Sequence, residues 1–420
     1  MLGPTLAVRI EFWDGSAIGP ADGLGPARFH SADAIRRLLW SPDELGFGRA
    51  FVVGDLDIEG DLFALLRVVE AGGMGELRLA PTSVVAALAA ARRVGALHRP
   101  LAPPPEEAKP RGRLHSRRRD ASVVRHHYDV GNRFYGLVLG PSLTYSCAYF
   151  PEARTTLEDA QVAKHELVCA KLGLTERPGM RLLDVGCGWG SMAMHAAVRH
   201  GASVVGVTIS AAQAESARRR VREAGVSDRV DIRVQDYRDL RDERFDAICS
   251  IGMFEHVGRK NAAGYFETLR ALLKPTGRLL NHAISAPGGH ALGRRSFAHR
   301  YVFPDGELLD VGDVVLAMER AGFEVRDVES LREHYSRTLR QWVASLEAHW
   351  DEAVAEVGVR RARVWRLYMA GSAVNFDIGE LSVHQVLGVV PDGGGGAAMP
   401  RTRAAWAPTP ARDPVVGFAP

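Results

Sequence analysis

The stretch Arg181–Gly190 (RLLDVGCGWG) constrains this chain more than any other part of it. Residues of strand type run directly into a loop with glycines at 186, 188 and 190, and helical patterning follows over Gly190–His200. Glycine permits a sharp turn and lets a ligand approach the backbone with no Cβ in the way. The helix N-terminus behind such a loop offers free N–H groups and positive potential. A strand, glycine loop and helix in this order form the nucleotide-facing corner of a doubly wound α/β fold. The G-x-G spacing alone does not choose a cofactor, because dinucleotide enzymes use it too.

The chain around this corner fits the same architecture. Strands are expected at Arg181–Val185, Ala202–Val207, Val230–Val234, Phe245–Ile251 and Gly277–Ala283, with helices at Ala211–Ala224 and Ala262–Leu273 between them. Such alternation predicts a mostly parallel sheet with helices on both faces, a Rossmann-like α/β domain over 121–390. Residues 1–100 read as a smaller N-terminal α+β domain that binds lipid or a partner. Its expected elements are a strand at Ala7–Phe12, a helix at Ala32–Leu39 capped by Ser31, a strand and turn at Arg49–Asp57, and helices near Leu62–Ala71 and Pro81–Val94. Residues 101–120 read as a Pro/Arg-rich linker: Arg99–Glu107 (RPLAPPPEE) is proline-rich, and seven basic residues follow within Lys109–Arg125. That basic run is either a solvated linker or a patch for anionic lipid head groups, worth about 1 kcal/mol per basic residue near a membrane surface. Residues 391–420 carry a glycine run and several prolines, and are expected to be disordered.

Composition narrows the function classes. Apolar residues at 46% and charged residues at 25% suit a globular protein. The start, MLGPTLAVRIEFWDG, lacks a cationic segment followed by an apolar one, and no run of about 18 apolar residues occurs. A cytoplasmic protein with at most peripheral membrane contact is therefore expected. The four cysteines, Cys147, Cys169, Cys187 and Cys249, form no CxxC pair and show no second ligand at metal spacing, so no disulfide framework and no metal are expected.

Two details separate cofactors. The third glycine follows the second by two residues, giving G-x-G-x-G rather than G-x-G-x-x-G, and Asp184 precedes the first glycine with only Val185 between them. D-V-G-C-G-x-G resembles the first motif of class I S-adenosylmethionine-dependent methyltransferases. Many such folds end the second strand in Asp or Glu for the ribose hydroxyls. Here it ends Val207-Thr208-Ile209-Ser210, with Gln213 one turn into the next helix, so Thr208 and Gln213 are the candidate hydroxyl partners. Ser210 also suits a helix cap. Gln235, Asp236 and Tyr237, after the third strand, lie where this fold contacts adenine.

Seven ordered segments then match one family: HHYDVGNRFY (126–135), TYSCAYF (144–150), LDVGCGWG (183–190), VVGVTIS (204–210), QDYRDL (235–240), GMFEHVG (252–258) and REHYSRTL (332–339). Together they resemble the cyclopropane-fatty-acyl-phospholipid synthases, and the related mycolic acid cyclopropane synthases share most of them. The resemblance covers about 121–388. It implies methyl transfer from S-adenosylmethionine to the double bond of an unsaturated acyl chain in an anionic membrane phospholipid, at the inner face of the membrane. It further implies a bicarbonate ion as base, held by residues matching Cys147, Glu255, His282, Ile284 and Tyr335. Cofactor contacts are implied for Tyr145, Ser146, Ile251 and His256, and a cover over the cofactor that includes Asp129 and Asn132.

Each of these has a plain alternative. Cys147 could be a small buried thiol, His282 a core histidine in an apolar strand, Tyr335 a packing residue, and His256 a turn cap. Glu255, directly after a strand and next to Met253-Phe254, is an unusual place for a purely structural carboxylate. The N-terminal region resembles the actinobacterial branch, which includes enzymes making 10-methylene chains, precursors of tuberculostearate. His126 and Phe150 lie in segments that could influence that choice without deciding it. A homodimer is compatible with the resemblance. A nucleic-acid substrate is disfavoured, since the basic run has no interleaved aromatic residues.

Overall fold

The computed structural model describes residues 8–72, 89, 91–93, 95–108, 119, 131–291, 293 and 295–406. The chain forms two compact units: Met1–Lys109, Gly293–Pro304 and Leu346–Val374 make the first, and Pro110–Leu292, Asp305–Ser345 and Asn375–Pro420 the second. The units thus draw on separated stretches of sequence, where the sequence suggested contiguous blocks.

The first unit contains a four-stranded sheet of β1 (Val8–Glu11), β2 (Ala17–Ile18), β3 (Leu24–Phe29) and β4 (Leu56–Ile58), in the order β2-β1-β3-β4. The helix Ala32–Trp40 starts as expected at Ser31, whose hydroxyl accepts from Asp33 N. Arg49–Asp57, expected as strand and turn, instead completes the helix Glu44–Val53 before the short β4. A short apolar run such as RAFVV cannot tell a buried helix from a strand. Asp43 caps this helix through Gly46 N, Gly54 ends it at φ 85°, and Ala50, Phe51 and Val52 are buried in it. Arg99–Glu107 is tied down along its length: Arg36 Nε donates to Arg99 O at 2.8 Å, Arg37 Nη1 to Ala102 O at 3.3 Å, and Arg49 pairs with Glu107 at 2.5 Å. The expected helix Pro81–Val94 lies mostly outside the described residues.

The second unit is built on a seven-stranded sheet: β5 (Arg181–Val185), β6 (Ser203–Thr208), β7 (Val230–Val234), β8 (Phe245–Ile251), β9 (Leu273–Ser285), β12 (Glu324–Ser330) and β13 (Ser382–Val389). A further pair of two-residue strands, β10 (His290–Ala291) with β11 (Glu307–Leu308), lies between β9 and β12 in the chain and forms its own small sheet. The order is β12-β13-β9-β8-β5-β6-β7, with β13 antiparallel to both neighbours and the other pairings parallel. Successive strand residues point to opposite faces, and here both faces are buried. Leu182, Val204, Ala247, Leu280 and Leu387 enter one apolar cluster, while their chain neighbours Leu183, Val205, Ile248, Leu279 and Val386 enter another. That is why these strands read as continuous apolar runs.

Past Pro391 most described residues are exposed, but a few are anchored. Trp406 is buried, Met399 lies against the core, and the buried Arg278 guanidinium donates to Ala398 O at 3.2 Å. Residues 407–420 lie outside the described residues. No helix among the described residues is long and apolar enough to cross a membrane.

Candidate active site

The glycine loop leaves β5 and turns into the helix Ser191–His200. Gly186, Gly188 and Gly190 take φ of 77°, 54° and 79°, the left-handed region that side chains disfavour. The loop backbone is held against β6: Gly186 N and Cys187 N both donate to Val207 O, at 2.9 and 3.0 Å. Gly206 makes this approach feasible, since a Cβ there would come within 3.1 Å of Cys187 Sγ. At Gly188 the direction a Cβ would take is open space, which leaves a cradle beside the helix N-terminus.

Around this loop the carboxyl ends of the strands deliver the other candidate residues. Asp184 is 2% exposed; Cys249, its partner across β8, donates to Oδ1 at 3.4 Å, and Oδ2 has no hydrogen-bond partner among the described residues. Burial pushes this carboxyl up to about 6. The Thr208 hydroxyl donates to Gln213 Oε1 at 2.9 Å, so the two expected hydroxyl partners already meet. Ser210 caps the following helix through Gln213 N. Gln235 N donates to Thr208 O, which places the start of the next loop at the end of β6. Asp236 is ion-paired with Arg238 at 2.7 Å and caps the turn Tyr237–Asp239. The Tyr237 ring packs edge-on against Tyr265, with centroids 5.3 Å apart. Ile251 ends β8, half-buried, and His256 N donates to Met253 O.

The second group gathers at β8, β9 and β13. Glu255 sits in the turn Phe254–His256, 8% exposed. Its Oε1 accepts from Ile284 N at 2.7 Å, and its Oε2 has no hydrogen-bond partner among the described residues. Burial pushes the carboxyl up to about 7, with the Ile284 N–H pulling the other way. His282, two residues before Ile284 on β9, is flanked by Ile251 on β8 and Gln385 on β13. Gln385 Nε2 lies 3.2 Å from His282 Nδ1, and His282 Nε2 has no hydrogen-bond partner among the described residues. Burial, reinforced by the charge of Lys164, holds His282 neutral. The structure therefore joins Glu255 to Ile284 directly, with His282 two residues earlier on the same strand.

Cys147 and Tyr335 are joined by a separate link. Cys147 Sγ is fully buried, 3.7 Å from Leu331 O, at the start of the helix Arg332–Ala348 that carries Tyr335. Burial raises this thiol, so it stands as a neutral group. Ala148 N donates to Thr338 Oγ1, and Phe150 N to His334 Nδ1, which fixes the whole segment to that helix. The Tyr145 ring stacks on Trp342 at 5.3 Å, and Tyr335 meets the same indole edge-on at 6.1 Å. His126 and Asp129 lie outside the described residues, while the Asn132 side chain accepts from the Trp189 indole at 2.8 Å.

The sequence reading missed Lys164. Its ammonium, 1% exposed, donates to Ser146 Oγ at 3.1 Å, and no carboxylate lies within ion-pair distance among the described residues. Burial pulls it down to about 8, and its charge acts on Cys147, Asp184 and His282. A signal was present: Lys164 falls on the stripe that also carries Leu157, Ala160 and Leu167. Buried polar atoms normally find partners. Among the described residues Asp184 Oδ2, Glu255 Oε2 and His282 Nε2 do not, beside a loop with room for a ligand. The acceptor Asp184 fits a polar cofactor, and His282 Nε2–H with a protonated Glu255 carboxyl fits a small anion.

Comparison with known proteins gives the family and the fold. The family described as mycolic acid cyclopropane synthetase matches residues 115–386. A probable fatty acid methyltransferase of Mycobacterium tuberculosis is 43% identical over 96% of this chain and 95% of its own. A cyclopropane-fatty-acyl-phospholipid synthase of Escherichia coli is 39% identical over 65% of this chain and 69% of its own. A tuberculostearic acid methyltransferase of M. tuberculosis is 33% identical over 90% of this chain and 87% of its own. Among solved structures, a mycolic acid cyclopropane synthase complexed with SAH and CTAB superposes with a TM-score of 0.60, at 34% identity, over 64% of this chain and 98% of that one. The chain belongs to the mycolic acid cyclopropane synthetase family, has the class I fold of S-adenosylmethionine-dependent methyltransferases, and is a C-methyltransferase of that kind.

Proposed function

We propose that the enzyme methylates the double bond of an unsaturated fatty acyl chain in a membrane phospholipid and closes the product to a cyclopropane. The observation that carries this reading is Glu255, buried with one oxygen on Ile284 N–H and the other uncommitted, beside His282 at the ends of β8 and β9. When bound, S-adenosylmethionine supplies an electrophilic methyl group. The cradle at Gly186, Gly188 and Gly190, with Asp184, Thr208, Gln213, the Gln235–Tyr237 loop and the Tyr145–Ser146 segment, would hold it.

An alkene is a weak nucleophile, so it must be held in line with that methyl group and away from water. Tyr145, Trp342 and Tyr335 provide an aromatic wall for the purpose. Attack leaves a carbocation, and ring closure needs a proton removed from the new methyl group. Cys147, Glu255, His282, Ile284 and Tyr335 would hold bicarbonate, which as a bound anion provides a base. Near neutral pH the Glu255 carboxyl is poised to take up or release a proton, because burial pushes it to about 7. Lys164, fixed to Ser146, supplies the compensating positive charge.

A second product is favoured by one observation: the tuberculostearic acid methyltransferase matches 90% of this chain, against 65% for the phospholipid synthase. The same methyl transfer then ends, after a hydride shift and loss of a different proton, in a 10-methylene chain. Work at the inner face of the membrane, through peripheral contact and with help from the N-terminal region, suits either outcome. The test is expression in a host rich in monounsaturated phospholipids, followed by mass spectrometry of the fatty acids. Chains heavier by a single CH₂ are expected, and the form of the added carbon separates ring from methylene. Folded protein with ample cofactor and no such gain would sink the proposal.

A further inference from the structure

Another set of side chains, none of them used above, gathers between the helices Leu157–Leu172 and Ser191–His200. Cys169 Sγ and ring nitrogens of His195 and His200 all lie within 4.8 Å of one another. Glu166 stands among them, with Oε1 3.0 Å from His195 Nε2 and Oε2 2.9 Å from His200 Nε2. Glu166 and Cys169 are neighbours on one helix face, three residues apart. His195 Nε2 is buried, and although close to the carboxylate it makes no aligned hydrogen bond. The His165 ring lies 5.3 Å from that of His195, and its buried Nε2 also has no hydrogen-bond partner among the described residues. Arg199 Nε, 3.4 Å from Glu166 Oε1, is the competing cation, but its side chain is 46% exposed and can turn to solvent.

These distances suit a shared ion. With zinc–sulfur bonds of about 2.3 Å and zinc–nitrogen bonds of about 2.05 Å, tetrahedral ligand atoms stand about 3.3–3.6 Å apart. The Cys169, His195 and His200 ligand atoms would contract by about 1.2 Å at their widest, and the Glu166 carboxylate, already beside both imidazoles, would turn one oxygen towards the ion, within reach of side-chain rotation. Thiolate, imidazole and carboxylate together select zinc over magnesium or calcium, which prefer all-oxygen sites. The sequence hides the set, because His200 lies 34 residues from Glu166 on another helix.

We propose that Glu166, Cys169, His195 and His200 form a zinc site that pins the end of the helix following the glycine loop to the helix carrying Lys164. Four protein ligands and no open position make it a structural site. The test strips the full-length protein with a chelator, returns zinc or cobalt(II), and desalts. About one zinc per chain is expected to remain, with a melting temperature above that of the stripped protein. The cobalt(II) form is expected to show a thiolate-to-cobalt charge-transfer band. Cys169→Ser should abolish the band and His200→Gln should weaken metal retention at least about tenfold, while Cys147→Ala should keep both. Stripped wild type that retains no zinc overturns the proposal. So does zinc retained without the cobalt–thiolate band, which marks an adventitious ion only. The wild-type spectrum decides the question even if Cys169→Ser does not fold.

Discussion

Glu107 and Glu255 are both buried carboxylates, one in each compact unit, and they are partnered in opposite ways. Glu107 Oε1 accepts from Arg49 at 2.5 Å and from the Tyr301 hydroxyl at 3.3 Å, and its Oε2 accepts from Arg49 and Arg300, each at 3.1 Å. Glu255 has one backbone donor and an oxygen left over. A buried charge is tolerated when its hydrogen-bonding capacity is filled. The first glutamate ties together Arg49 and the segment at 300–301, and so is scaffold. The second lacks what would make it scaffold, and its deficit lies beside a glycine cradle. Incomplete pairing beside the glycine cradle, rather than burial alone, sets Glu255 apart from Glu107.

The sharpest way to break that contrast is to neutralise each carboxylate in turn. Glu255→Gln keeps the shape and removes the proton-handling group, so methyl transfer to lipid should fall about 10²–10⁴-fold. Cofactor affinity, measured by calorimetry, should stay within about threefold of wild type. Activity near wild type would remove Glu255 from the reaction. Glu107→Ala should do the reverse: about 3 kcal/mol lost in urea unfolding, from stranding partly buried guanidinium groups, with the surviving folded protein still active.

A pH series sharpens the comparison. The Glu255 carboxyl is raised in the folded state, from 4.5 to about 7. The folded protein therefore holds a proton that the unfolded chain releases first. This contribution is fully present below about pH 4.5 and is lost as pH rises through about 7. Between those values wild type should lose up to about 3 kcal/mol relative to Glu255→Gln. The difference between the two proteins matters, because His165 and His282, held neutral by burial, give the opposite slope at acidic pH. Parallel stability curves for the two proteins would show that Glu255 is not desolvated.

Lys164 gives the smallest and most discriminating effect. Its ammonium is buried with a single hydroxyl partner. Replacing a poorly compensated charge by an apolar chain of similar size is often neutral or stabilising. Lys164→Met should therefore match or exceed wild type in melting temperature and yet lose about tenfold in activity. A variant both unstable and inactive would mean that Lys164 is structural.

The sequence by itself determined what depends on neighbours in the chain. The apolar runs of β5 and β8, the left-handed glycines at 186, 188 and 190, and the caps at Ser31 and Ser210 follow from local sterics and hydrogen bonding, and they could be placed from the residues alone. Family resemblance named Glu255 and His282, but nothing local shows that Glu255 meets the amide of Ile284, or that Gln385 flanks His282 from 103 residues away. Only tertiary structure decided that Glu44–Val53 is a helix, because a short apolar run takes whichever form its burial allows. The same holds for Lys164, an ordinary helix residue until packing removes its water. It holds equally for Cys169, whose partners His195 and His200 arrive from the next helix. Desolvation and long-range pairing are properties of the folded surroundings, and it is these that turn ordinary side chains into a site.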